Sequence, residues 1–175
     1  MPKQKQAAAV KAAQHYRPLT ESQLSQILVM TEKDPKLSEV HDVVTMIITT
    51  GMRVREMRDL RWADVDFAQR EITIKPGTPD ARTVPFEDKA RLVFKKRRLC
   101  EPQAEYVLGE SPQKLLNRVS RKLAAISTGL GIERVSFHIL RRTFAHRLFS
   151  AGASIIVVMR ILGYKGPFQG MLRIL

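Results

Sequence analysis

One cysteine, one tryptophan and three tyrosines are all that 175 residues contain of those types, and each scarcity excludes something. A lone thiol, Cys100, can close no internal disulfide and has no second thiol with which to build a zinc knuckle, which fits a reducing compartment. Long uncharged apolar runs are missing too, and the opening Met1-Pro2-Lys3-Gln4 continues polar, so neither a membrane span nor a secretory signal peptide is expected. Acid is the other shortage: 17 Asp and Glu face 30 Lys and Arg, for a formal charge of +13. That surplus favours a polyanionic partner, because neutralising phosphates releases their condensed counterions. Nucleic acid is therefore the first partner to expect and an acidic membrane surface the second. The expectation is a soluble protein, cytoplasmic or nucleoid-associated, and the 44% hydrophobic content suffices for one well-buried domain.

Residues 1–18, rich in Lys, Gln and Ala, read as an N-terminal tail or linker remnant, and residues 19–175 as one domain. Leu19-Thr20-Glu21-Ser22-Gln23-Leu24 writes a capping box with a hydrophobic staple, so a helix starts there. Val40, Val43, Val44, Ile47 and Ile48 give a second helix that stops at Thr49-Thr50-Gly51. Met52 to Leu60 reads as a short third helix, and Trp62 to Asp66 as a turn into strands. Glu71 to Lys75 alternates and is answered by Arg82-Thr83-Val84-Pro85 across a Pro/Gly/Asp loop, a β-hairpin. A helix from Glu87 to Leu99 turns Ala90, Val93 and Phe94 inward and Lys95, Lys96, Arg97 and Arg98 outward. Ser111-Pro112 opens the next, Ser136 caps another carrying the Leu140/Phe144/Leu148 stripe, and a last apolar helix runs from Ser154 to Leu162, ended by Gly163. The fold class expected is mainly α with a small β-sheet or hairpin, α+β.

Chemistry concentrates in two places. His138 and Arg141 lie three apart on a helix and share a face, so a rigid element holds an imidazole beside a guanidinium. The pair suits a phosphodiester, since a guanidinium can bind two phosphate oxygens and an imidazole can pass a proton near neutral pH. A basic helix face with a half-buried histidine explains the same residues. Arg53 follows the Gly51 break at the start of a helix, where unpaired N–H groups attract anions, with Glu56 three residues on to orient a guanidinium. An amphipathic helix with Arg/Glu pairing is the competing reading. His138 and His146 lack Cys or carboxylate partners at ligand spacing, so no metal site is expected.

Together the clusters match a family. Thr50-Gly51-Met52-Arg53-Val54-Arg55-Glu56, followed by Leu60-Arg61-Trp62-Ala63-Asp64-Val65-Asp66, resembles the first conserved box of phage integrases and other tyrosine recombinases. His138-Ile139-Leu140-Arg141-Arg142-Thr143-Phe144-Ala145, then Ala151-Gly152 and Ile161-Leu162-Gly163, resembles their second box, with the hairpin in order between them. The resemblance implies the catalytic-domain fold of DNA breaking-rejoining enzymes and a strand exchange that uses no metal or other cofactor. In that family two arginines bind the scissile phosphate, a tyrosine attacks it to give a 3′-phosphotyrosyl link, and the freed 5′-hydroxyl later attacks from another strand; the partner expected of this chain is double-stranded DNA, with a homo-oligomer on that DNA as a further possibility. Carried over by motif, Arg53 and Arg141 are the phosphate clamps and His138 handles the proton.

Three positions depart from the family pattern. Counting back from Val84-Pro85 lands on Gly77 where the family has a hairpin lysine; Lys75 is the nearest substitute, and a solvated strand-end lysine is the alternative. Tyr164 replaces the usual histidine or tryptophan, and its hydroxyl can still donate to a phosphate oxygen. Ile174 stands where the nucleophilic tyrosine belongs, which reads as a truncated or divergent C-terminus, while Tyr164 comes too early to replace it and Tyr16 and Tyr106 have no motif support. The expected function is site-specific DNA recombination or integration, the alternative a catalytically inactive DNA-binding remnant or paralogue. The family's upstream clamp domain does not fit in the short N-terminal stretch, so weak, salt-sensitive DNA binding is expected of this chain alone. A helix-turn-helix around Ala151-Gly152-Ala153 fails because Ile155, Ile156, Val157 and Val158 cannot read base edges, so that last helix is expected to belong in the core.

Overall fold

In the computed structural model, which describes residues 17–78 and 81–164, the second helix is the axis on which the others pack. The first, α1 (Glu21–Lys33), begins as its sequence dictates: Gln23 N donates to Thr20 Oγ1 at 3.2 Å and Thr20 N to Gln23 Oε1 at 3.0 Å. Helix α2 (Ser38–Thr50) is apolar on nearly every side, with Val40, Val43, Val44, Met46 and Ile47 fully buried, and such a helix is stable only when surrounded. It is enclosed by α1, α4 (Asp88–Cys100), α5 (Pro112–Gly129) and α6 (Phe137–Ser150). Gly51 ends it at φ 64°, and an added Cβ would lie 2.3 Å from the Phe144 ring, so the position requires glycine twice over.

Helix α3 is shorter than expected, Val54–Asp59, because Arg53 stays extended (φ −73°, ψ 151°) and serves as its N-cap. Glu56 causes this by reaching back to accept from Arg53 N at 2.8 Å. The segment expected as a turn after Trp62 contributes a further strand. β1 (Val65–Asp66) pairs with β2 (Glu71–Ile74), which pairs with β3 (Arg82–Pro85), all antiparallel, with Ile72 opposite Val84 and Ile74 opposite Arg82. Ile72, Ile74 and Val84 point into the core, and Phe67, Phe86 and Phe94 close the seam between sheet and α4 with edge-to-face contacts.

Two details differ from the sequence reading. Arg97 does not lie on the solvent face of α4: it is buried, its Nε donating to Val107 O at 2.8 Å and its Nη1 3.5 Å from Asp42, which Lys96 also binds. A buried carboxylate on α2 draws the Arg97 guanidinium inward, while Lys96 stays exposed and reaches it from the solvent side. Helix α7 (Ile155–Leu162) buries Val158 and Leu162 against Phe144 and Ala145 of α6 but leaves Ile156 and Val157 exposed, so only one side of it belongs to the core. Among the described residues, no helix is long and apolar enough to cross a membrane, and no group of three or more His, Cys, Asp and Glu stands close enough to hold a metal.

Candidate functional site

Helices α3 and α7 and the edge of the sheet surround an open cleft of about 1350 Å³. Its rim is basic, carrying Arg53, Arg55, Arg58, Arg61, Lys75 and Arg160. At its base lies one carboxylate. The Glu56 side chain is only 2% exposed, and three guanidiniums converge on it from three elements. Arg53 donates from Nη1 to Oε1 at 2.9 Å. Arg82, on β3, spans both oxygens at 2.9 and 2.8 Å. Arg141, on α6, approaches to 4.0 Å. Burial by itself would push the Glu56 carboxyl up; the hydrogen bonds from the Arg82 fork and the Arg53 N–H, with the charge of Arg82, outweigh it and hold the group down at about 2. Glu56 is therefore ionised, and with three guanidiniums against one carboxylate the group keeps a surplus of two positive charges.

The same arginines seize the end of α7. Arg82 Nε donates to Ile161 O at 2.8 Å, Arg141 Nη2 to Leu162 O at 2.5 Å and Arg53 Nη2 to Gly163 O at 3.1 Å. Three consecutive carbonyls that the helix cannot satisfy itself are answered by three side chains, and cations suit that negative end of the dipole. Arg141 also donates to Gly51 O. Gly163 turns the chain at φ 64°, and Tyr164 N bonds back to Met159 O at 3.0 Å, which seats the Tyr164 ring against the arginines. Arg53 Cζ lies 5.5 Å and Arg141 Cζ 5.6 Å from its centroid, so both guanidiniums stand over the ring. Burial first, then the charge of Arg53, lowers the Arg141 guanidinium to about 10, with Tyr164 and Glu56 opposing.

Of the residues singled out by sequence, Arg53, Arg141 and Tyr164 are brought together here. Lys75 follows β2 in a left-handed conformation (φ 52°) and lines the same cleft. His138 stands apart: it is exposed, does not line the cleft, and is held below the ordinary histidine range by partial burial and then by the charges of Arg142 and Arg141. Tyr106 packs against Arg61, 5.5 Å from its guanidinium. Ile174, Tyr16, and the readings of the N-terminal tail up to residue 16 and of the chain beyond residue 164 lie outside the described residues. Sequence reasoning missed Arg82. The signal was present, since in a strand Arg82 shares a face with Val84, two residues on, and that face points inward.

Comparison with known proteins gives one consistent picture. A family model described as the phage integrase family matches residues 17–167. A tyrosine recombinase XerC of Thermodesulfovibrio yellowstonii is 27% identical over 152 residues, covering 78% of this chain and 50% of the relative. A tyrosine recombinase XerC of Oceanobacillus iheyensis is 30% identical over 179 residues, covering 87% and 57%. The chain thus spans about half the length of these relatives. Among solved structures, the XerA recombinase superposes with a TM-score of 0.75 at 18% identity, covering 91% of this chain and 58% of that one. The Tn1549 transposon integrase in complex with transposon right end DNA gives 0.77 at 18% identity, covering 89% and 60%.

Proposed function

Since this chain belongs to the phage integrase family, we propose that its cleft binds a phosphodiester of double-stranded DNA for site-specific strand breakage and rejoining. The observation that carries this reading is the convergence of Arg53 and Arg141 on one ionised carboxylate with a surplus of positive charge at the foot of a basic cleft. A pentacoordinate phosphorus carries more negative charge than the ground state, and donors fixed in advance on that charge stabilise it by several kcal/mol, roughly 3–4 for one such donor. Arg53, whose side chain is 41% exposed, presents donors to the cleft; Arg141 fixes the floor beneath it. Lys75, on the rim, is suited to protonate a leaving 5′-oxygen, and the Tyr164 hydroxyl to bind a non-bridging oxygen. His138, whose lowered pKa keeps it neutral at pH 7, can accept a proton beside Arg141. The attacking tyrosine is not among these residues. This reading has the protein acting in the cytoplasm on nucleoid DNA, with further copies bound alongside it.

The test is duplex DNA binding and covalent trapping by the full chain on a nicked suicide duplex, in wild type and in Arg53→Gln. Support is salt-sensitive binding that Arg53→Gln weakens about tenfold or more. Binding that ignores Arg53 removes the phosphate reading. Covalent adduct formation separates a cleaving enzyme from a domain that only binds.

A further inference from the structure

No motif residue accounts for Arg82, the third guanidinium on Glu56. Its side chain is 10% exposed against 41% for Arg53, although both border the same cleft. Its Nε is committed to Ile161 O at 2.8 Å and its fork to the two Glu56 oxygens at 2.9 and 2.8 Å, so its donors face protein. What Glu56 then holds is Arg53: Oε2 accepts the Arg53 backbone N–H at 2.8 Å and Oε1 accepts Arg53 Nη1 at 2.9 Å. Arg82 comes from β3, paired to Ile74 within the sheet, so its Cα is carried by a different, well-braced element. The chain makes room for it as well, because a Cβ at Gly163 would lie 2.8 Å from the Arg82 Cζ.

We propose that Arg82 is a positioning residue of the phosphate site: through its planar fork it fixes the Glu56 carboxylate, and that carboxylate aims Arg53 at the phosphate, while Arg82 itself does not hold the ligand. The inference rests on reading the cleft as a phosphate site. Without the fork, Glu56 loses two charge-assisted bonds in a buried setting and satisfies itself with Arg53 and Arg141 instead, turning Arg53 away from the cleft. Lysine cannot replace the fork, since an ammonium is a point donor on a flexible stem.

The experiment follows the Arg53 Nε–Hε signal by NMR in the full chain, first without ligand and then through a titration with inorganic phosphate. The proteins are wild type, Arg82→Gln, Arg82→Lys, Glu56→Gln and the Glu56→Gln/Arg82→Gln double variant, with Arg118→Gln, far from the cleft, as the charge control. Without ligand, Arg53 should give one sharp, shifted signal in wild type and a mobile, water-like one in both Arg82 variants. Phosphate affinity should fall about tenfold or more in Arg82→Gln, recover little in Arg82→Lys, and fall no further in the double variant than in the worse single one. Arg82→Lys keeps the charge and most of the stem, so it carries the test if Arg82→Gln does not fold. An unchanged Arg53 signal in the Arg82 variants, full recovery by lysine, or additive losses in the double variant would each overturn the inference. Wild type that does not respond to phosphate overturns the site itself, and the ligand-free Arg53 signal still reports separately on what Arg82 does.

Discussion

Arg53 and Arg141 stand against one Tyr164 ring, 5.5 and 5.6 Å from its centre, although one side chain is 41% exposed and the other 6%. The contrast divides their duties: Arg53 faces the cleft, whereas Arg141 spends its donors on Gly51 O and Leu162 O.

Truncating the two should therefore separate stability from binding. Arg141→Gln strands two buried carbonyls, Gly51 O and Leu162 O, and should cost roughly 3 kcal/mol in urea unfolding, while Arg53→Gln should cost roughly 1 kcal/mol. Both should weaken binding to a short duplex. Equal unfolding costs would contradict the division.

Glu56 gives the fold an acid-sensitive component. Its carboxyl titrates near 2 in the folded chain against an ordinary value of 4.5, so the folded state binds that proton less readily than the unfolded one. The stabilisation is complete above pH 4.5 and is lost as pH falls through 2, and the shift corresponds to roughly 3 kcal/mol. Unfolding free energies of wild type and Glu56→Gln, measured from neutral pH into this window, should converge. Parallel curves would show that Glu56 is not the group responsible.

Gly51→Ala and Gly152→Ala should differ sharply despite similar backbone. Both glycines have positive φ, 64° and 85°, but a Cβ at Gly51 meets Phe144 at 2.3 Å and one at Gly152 meets nothing within 4 Å. The first should lose about 3 kcal/mol or more and disturb Arg141, which binds the Gly51 carbonyl; the second should lose about 1 kcal/mol. Thermal unfolding of the pair is sufficient to check this.

Arg160 borders the cleft from the exposed side of α7. Removing it in Arg160→Gln should reduce the slope of log affinity against log salt by about 1, with no change in sequence preference. Arg118→Gln, whose guanidinium is paired with Glu39 at 2.6 and 2.8 Å, should leave the slope as it is. Fluorescence anisotropy with a labelled duplex at several salt concentrations distinguishes them.

What could be read from the sequence was local. Thr20 and Gln23 announce α1, the stripe of Val40, Val43, Val44 and Ile47 announces α2, and the two boxes name the arginines that meet Tyr164. What could not be read depends on partners distant in sequence. Arg97 looks like part of a solvated Lys/Arg run until Asp42, on another helix, draws it inward. Arg82 looks like a strand residue until Glu56 and Ile161 O come within reach of it. Arg53 ended up outside α3 because one carboxylate satisfied its amide, a choice that periodicity does not record.

The end of α7 has no cap of its own for Ile161, Leu162 and Gly163 and borrows the guanidiniums of Arg82, Arg141 and Arg53. A guanidinium has a fixed number of N–H groups, so any anion that recruits Arg53 or Arg141 does so in competition with the last turn of this helix. Ligand affinity and the firmness of that turn are thus two readings of one equilibrium, and a change that frays α7 should be felt as tighter or looser grip on phosphate many residues away.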